Sequence, residues 1–326
     1  MHPETRSLTI NIKSKLLEDC CKKHNIPTKR LDHHTLLVLI KRKWVPFFNM
    51  NGPSCSAALR RILDYKHLTL GLLKERGFSV SDYMLFDKFN IKNLLVFARE
   101  KYPLVLKPIN GRMGEGIISG IKNGTELEKA VKRFKTDSGW GLAEQQFDGI
   151  DYRAVVVDGK VISVTKREKA HVIGNGSSTV LTLINKKNAL RPNNQYYKER
   201  TIPTKISRLS ALKDAGMSLK SIPAMGQKVL LSHTANMHQG GESVNHTSIV
   251  SNELKKIMVG AVSAIPGLVY TGIDFMVKNP GSTKPNYVIL EMNFSFGPTA
   301  MFHTFGEPVD IVKPILDYYL GNLKQN

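Results

Sequence analysis

Two stretches late in the chain, YTGIDFMV (270–277) and NYVILEMNF (286–294), each set a carboxylate in an otherwise apolar run of strand-forming residues. An unpaired carboxylate buried in such a strand costs several kcal/mol. Asp274 and Glu291 must therefore be paired or coordinated in whatever fold these strands join. Side chains two apart on a strand share a face, so Glu291 and Asn293 point the same way. Two carboxylates and an amide oxygen are hard oxygen ligands, a set that suits Mg²⁺ and leaves positions for phosphate oxygens and water. The residues alone equally allow structural ion pairs with lysines or arginines.

A second stretch, VLKPINGRMGEGI (105–117), runs from a strand through Lys107 into a glycine-rich turn and out into apolar residues. Gly111, Gly114 and Gly116 let the backbone come close to a ligand, and Lys107 makes phosphate the natural candidate. The order here is strand, glycine turn, strand, then the helix TELEKAVKRF (125–134), with Thr125 as its N-cap and Glu128 completing a capping box. A Walker A loop opens directly into a helix, and GxxxxGK[ST] is absent. A phosphate here would lie under a β-hairpin flap. GNGSST (174–179) approaches a dinucleotide fingerprint but lacks the strand–turn–helix setting.

The rest reads as mixed α and β. Alternation predicts a strand over 7–12, and period predicts a helix over 14–24. Strands follow at 35–40 and 44–50 around a KRK turn, which makes 1–62 a small α/β domain. Residues 56–76 have the period of one helix carrying Lys66, stopped by Gly77. RAVVVDGKVISVTKR (153–167) is a hairpin around Asp158–Gly159. A helix at 251–265, the strand pair at 270–277 and 286–294, and a helix near 309–320 complete the chain. Residues 186–228 carry ten basic and two acidic residues, net +8, and three prolines. They read as a long, basic, partly mobile excursion, and loops of that length in enzymes are commonly functional.

The net charge of +20, from 47 lysines and arginines against 27 acids, favours an anionic partner. Three cysteines, two of them adjacent, suit neither a disulfide framework nor a zinc site and fit a reducing, cytoplasmic setting. MHPETRSLTI has no apolar core of a secretory signal. No apolar run reaches the roughly 18–20 residues a membrane span needs.

Taken in order, DYKHLTLGLLKERGFSV (64–80), YPLVLKPINGRMGEGI (102–117), EQQFDGIDYRAVVVDGKVI (144–162), KREKAHVIGNGSSTVLTLIN (166–185), the segment 212–241, YTGIDFMV and VILEMNF resemble the ATP-grasp superfamily. The nearest branch holds cyanophycin synthetases and the ligase domain of bifunctional glutathione synthetases. The likeness covers 64–294, and the first 60 residues match loosely. It implies an α/β (α+β) ATP-grasp fold with the nucleotide held between two α+β subdomains. The lid subdomain would be 63–146 and the C-terminal subdomain 147–326.

By position, the resemblance makes Lys66 and Lys107 the ATP-binding lysines. The 111–116 loop, with Gly111, Gly114 and Gly116, would cover the phosphates. Glu144, Gln145 and Phe147 would line the adenine hinge, and Asp151 would bind the ribose. Arg167 would sit near the transferred phosphate or acyl substrate. Asp274, Glu291 and Asn293 would hold Mg²⁺ (or Mn²⁺). Lys107, Arg167 and Asn293 would carry the catalysis. The implied reaction joins a carboxylate to an amine through an acyl phosphate, with an amino acid or peptide as amine acceptor. Small-molecule or peptide substrates, acidic ones among them, and a homo-oligomer belong to that reading. Where those relatives carry an arginine before the asparagine–Gly-Gly stretch, this chain has Leu231-Ser232-His233-Thr234, and the reading there is that His233 would partly replace that cation. No second ligase domain is read, so the reading is of a stand-alone ligase. The competing reading is a polyanion- or nucleic-acid-binding protein on a degenerate ATP-grasp frame. The charge favours it; the intact lysines and metal trio, and the lack of any RNA-module signature, count against it. A zinc hydrolase is a poor third, since the histidines form no HExxH pattern.

Overall fold

The computed structural model describes residues 10–110, 116–136 and 138–322; Gly111 and Gly114 lie outside them. At the N-terminal end, helix α1 (Ile12–Lys23) packs on an antiparallel sheet of β1 (Thr28–Arg30), β2 (Thr35–Ile40) and β3 (Lys43–Phe48). The KRK turn places Lys41 and Arg42 at φ 48° and 64°, the left-handed pair that lets two strands meet in a two-residue hairpin. The strand expected at 7–12 is corrected in its described part. Asn11 caps α1, its side chain accepting from Lys13 N–H, and Ile12 begins the helix. The cap satisfies backbone donors that short alternation says nothing about.

The period over 56–76 is cut in two: α2 (Ala57–Asp64), capped by Ser56, and α3 (Lys66–Glu75) meet at Tyr65, whose ψ of 96° is extended. Lys66 N–H donates to the Ile109 carbonyl (3.2 Å), and the Arg61 guanidinium lies 3.8 Å over the Tyr65 ring. Both pieces keep apolar faces on one core, so periodicity alone cannot see the break.

A four-stranded antiparallel sheet follows, built from β4 (Tyr83–Asp87), α4 (Lys92–Ala98), β5 (Leu104–Pro108), β6 (Ile118–Ile121), α5 (Gly124–Arg133) and β7 (Trp140–Gln145), with strand order β4-β7-β5-β6. Both helices close over it on Phe86, Leu94, Leu106, Leu127 and Phe134. The cap of α5 lies two residues earlier than expected. Asn123 accepts from Glu126 N–H (3.0 Å), and the Glu126 carboxylate accepts from Lys122 N–H (2.8 Å), replacing Thr125 and Glu128.

The second half contains β8 (Ile150–Val157), β9 (Lys160–Glu168), β10 (His171–Ile173), α6 (Val180–Leu190), α7 (Ser210–Asp214), β11 (Lys228–Leu230), β12 (Glu242–Asn245), α8 (Asn252–Ser263), β13 (Tyr270–Val277), β14 (Tyr287–Asn293) and α9 (Val312–Asn322). Five of these strands form one sheet in the order β12-β9-β8-β13-β14, all neighbours antiparallel. Its β8–β9 hairpin turns at Asp158 and Gly159, φ 46° and 70°. Residues 186–228 are not an open excursion. With β10 and β11 they enclose a small core of Ala170, Val172, Ile184, Leu209, Leu212, Val229 and Leu231, while most of the basic side chains stay outside.

Alternation along the five-stranded sheet decides the layers. Tyr152, Ala154 and Val156 of β8 and Ile273, Phe275 and Val277 of β13 face α2, α3 and α8. Val155, Val157 and Tyr270, on the opposite face, pack against α9 and the N-terminal layer. Farther along that second face the apolar residues stop and charged ones replace them.

Candidate active site

The charged part of the face is set by strand register. Asp274 lies opposite Arg153 on β8 and opposite Glu291 on β14, and Gly272 lies opposite Asn293. Arg153 grips Asp274 with a fork: Nε to Oδ1 at 2.6 Å and Nη2 to Oδ2 at 2.8 Å. Such bidentate, charge-assisted pairs are short and directional. Arg167 of β9 spans two acids, donating from Nη1 to Asp274 Oδ2 (3.0 Å) and from Nε to Asp151 Oδ1 (2.8 Å). Lys66, at the start of α3, reaches Glu291 Oε2 at 3.2 Å. The helix break at Tyr65 is what puts this lysine over the sheet. The register of β14 against β13 shifts beside the carboxylates, Asp274 facing Glu291 and Phe275 facing Ile289, which leaves Leu290 as an extra residue, a common way to re-aim a side chain.

The electrostatics follow from crowding. Burial alone would raise the Asp274 carboxyl, but Arg153 and Arg167 outweigh it and hold the group well below the usual range. For Asp151 burial wins: its carboxyl is raised although Arg167 opposes the shift, with the like charge of Asp274 adding to it. Burial works against the Arg167 charge, yet Asp151 and Asp274 raise its pKa above the ordinary value. The acids are thus ionised or poised only because the arginines stand beside them.

Lys107 and Glu144 form a second buried pair on neighbouring strands, Nζ to Oε2 at 2.6 Å, with residue exposures of 9% and 2%. The other Glu144 oxygen, Oε1, is buried without a partner among the described residues. Gln145 donates its backbone N–H to Asp82 O (2.8 Å), and Phe147 is half-buried where the chain passes from the four-stranded to the five-stranded sheet. Gly116 has φ +72°, and a Cβ there would come within 2.8 Å of the Pro108 ring. Asn293 lies at the far end of the row, its Nδ2 3.5 Å from Gly272 O.

The structure thus brings Lys66, Asp151, Arg167, Asp274 and Glu291 into one network with Asn293 at its end, and joins Lys107 to Glu144. His233 stands apart from this network, exposed and paired with Asp214 at 2.7 Å. Arg153 was missed by sequence reading. Its signal was an arginine two residues after Asp151 in a β-branched run, hence on the same face; only register reveals Asp274 as its partner. At the end of the β9–β12 pair, where Glu168 lies opposite Glu242, these two and His171 place candidate ligand atoms within 4.8 Å of one another. Lysines already hold those carboxylates: Lys166 and Lys228 on Glu168, Lys187 on Glu242. That cluster ties the basic insert to the sheet.

No family model matches the chain. In sequence it is similar to the glutathione biosynthesis bifunctional protein GshAB of Clostridium perfringens, 31% identical over 267 residues, covering 78% of this chain and 34% of that protein. It is also similar to cyanophycin synthetase of Nostoc sp., 36% identical over 230 residues, covering 68% of this chain and 25% of the relative. Among solved structures, a bifunctional glutathione synthetase from Pasteurella multocida superposes with a TM-score of 0.71 at 23% identity, covering 96% of this chain and 44% of that one. The chain therefore spans about a quarter to a third of these curated relatives, and the structural likeness is one of fold.

Proposed function

The chain belongs to the ATP-grasp superfamily, resembling cyanophycin synthetase and bifunctional glutathione synthetase, and from that premise we propose that it is an ATP-dependent carboxylate–amine ligase working through an acyl phosphate. The observation that carries this reading is the row Lys66–Glu291–Asp274–Arg153/Arg167 on one sheet face. Two carboxylates meet there across paired strands, with an amide beside them and three cations around them.

Those donors fit Mg²⁺. Asp274 and Glu291 are neighbours in register, Asn293 follows on the same face, and all are oxygen ligands. When bound, the metal would supply charge neutralisation for the phosphates. The protein's own residues do the rest. Lys66 and Lys107 exchange their carboxylate partners for phosphate oxygens, so each cation is held in place before nucleotide arrives. The unpartnered Glu144 Oε1 accepts from the adenine amino group, and the segment through Gln145 and Phe147 frames the base. Asp151 accepts a ribose hydroxyl. Arg153 and Arg167 stabilise charge on the phosphoryl group in transfer.

The carboxylate oxygen of one substrate attacks the γ-phosphorus, and the bond to ADP breaks. The amine of the second substrate then attacks the acyl carbon, phosphate leaves with the C–O bond electrons, and the nitrogen loses a proton. The net +8 insert favours an acidic amino acid or peptide as acceptor.

The test is ADP release over a panel of carboxylate and amine pairs, with Lys107→Ala and Glu291→Ala as controls. Turnover falling at least a hundredfold in both supports the assignment; unchanged turnover in both sinks it. The polyanion-binding reading is favoured instead if RNA binds tightly and salt-sensitively with no ATP turnover.

A further inference from the structure

A cleft of about 410 Å³ lies where the insert meets the four-stranded sheet, away from the carboxylate row. One wall is Ile117 and the start of β6, Ile118 and Ser119, with Arg133 at the end of α5. The other wall is Ser210 at the start of α7, together with Ser232, His233, Thr234 and Gln239. The two walls belong to different halves of the molecule, so an occupant would touch both.

Their chemistry is one-sided. Arg133 is exposed and, among the described residues, spends only Nε, on the carbonyl of Lys129 (3.3 Å), which leaves both Nη groups able to grip a carboxylate. Asp214, the acid next to the cleft, is occupied by His233. Arg208 and Lys213, which flank Ser210 in the chain, are exposed and have no acidic partner among the described residues. Ser119, Ser210, Thr234 and Gln239 offer hydroxyl and amide groups suited to a peptide backbone, and Ile117 and Ile118 form an apolar strip beside them.

We propose that this cleft between β6 and the insert docks an acidic peptide, one of its carboxylates meeting Arg133. The inference rests on the ligase reading for its purpose, since it locates where the second substrate is held, but not for its observations. A nucleic acid fits less well, because nothing in the cleft is an aromatic platform for bases.

Isothermal titration calorimetry of the full chain with tetra-aspartate amide in about 0.15 M salt, a screening strength that discounts loose surface attraction, tests it. The expected result is saturable binding that weakens at least tenfold in Arg133→Ala and in Ser119→Trp, which fills the cleft from the other end of the same wall. Lys186→Ala, a basic change in the insert outside the cleft, leaves binding within twofold. Equal weakening in Lys186→Ala, no change in Arg133→Ala, or binding of oligo-dT in place of the peptide overturns the proposal. A parallel thermal-shift titration with Mg·ATP separates the two readings. Loss of the ATP response with peptide binding intact strikes the ligase assignment and leaves the cleft standing; the reverse strikes the cleft alone.

Discussion

Replacing Lys107 by methionine isolates the worth of the buried pair with Glu144. The lysine and the glutamate sit 2.6 Å apart, and Glu144 Oε1 already has no partner among the described residues, so the variant leaves a carboxylate that is 2% exposed with neither oxygen bonded. Removing one member of a buried ion pair costs about 3–5 kcal/mol, whereas replacing both by apolar groups of similar size is often close to neutral. We expect Lys107→Met to lose about 3 kcal/mol, and Lys107→Met/Glu144→Met to lie within about 1 kcal/mol of the parent. Trp140 stands on the same strand as Glu144, and the chain has two tryptophans. In a Trp44→Phe background, tryptophan fluorescence therefore reports unfolding of this sheet. With a urea slope of about 1–3 kcal/mol per molar, the single change moves the midpoint by roughly 1–3 M. A shift worth under about 0.5 kcal/mol, or a double variant that costs the sum of the two single changes, would refute the argument that a buried, uncompensated carboxylate dominates here.

Two further outcomes are expected. Gly272→Ala places a Cβ 2.8 Å from Phe296 Cβ, and overpacking of that kind costs about 1–3 kcal/mol, read as a lower urea midpoint; an unchanged midpoint means the Phe296 loop yields freely. The Glu168 carboxyl is depressed to about 2: burial opposes the shift, and Lys166 and Lys228 overcome it. Its folded-state pKa lies below the unfolded one, so its stabilisation is full above about pH 5 and is lost as pH falls toward 2. Lys166→Met should thus cost about 1 kcal/mol at pH 7, with most of that gap still present at about pH 3 and closing as pH falls toward and below about 2. A gap that stays constant across that range assigns the lysine a packing role only.

Local chemistry was enough to read much of this molecule from its sequence. The β8–β9 hairpin follows from Asp158–Gly159, and the flanking β-branched runs leave it no other turn. Asp274 and Glu291 stood out because a carboxylate in an apolar strand has to be answered by something; of the two alternatives open at that stage, the structure shows the ion pairs with Arg153, Arg167 and Lys66, and metal binding by the same atoms belongs to the proposed function. Lys66 and Lys107 were legible only with those acids in view.

What the sequence left open are matters of long-range register and of competition between local preferences. The periods on either side of Tyr65 merge in one dimension, and only the Ile109 carbonyl, 43 residues away, shows why the helix turns there and carries Lys66 over the sheet. Residues 186–228 look like an unstructured basic tract because their apolar residues are spread among prolines and lysines. They close on Ala170 and Leu231, which flank the tract in sequence and come together only when β10 pairs with β11. Arg153 became part of the site for a similar reason. Its strand neighbour lies 121 positions away, and a one-residue slip between β8 and β13 would have turned it to the opposite face. Residue types determined which chemistries the chain could hold. The pairing of four strands decided that the two arginines and the two carboxylates share one face, and the helix break at Tyr65 brought the lysine to them.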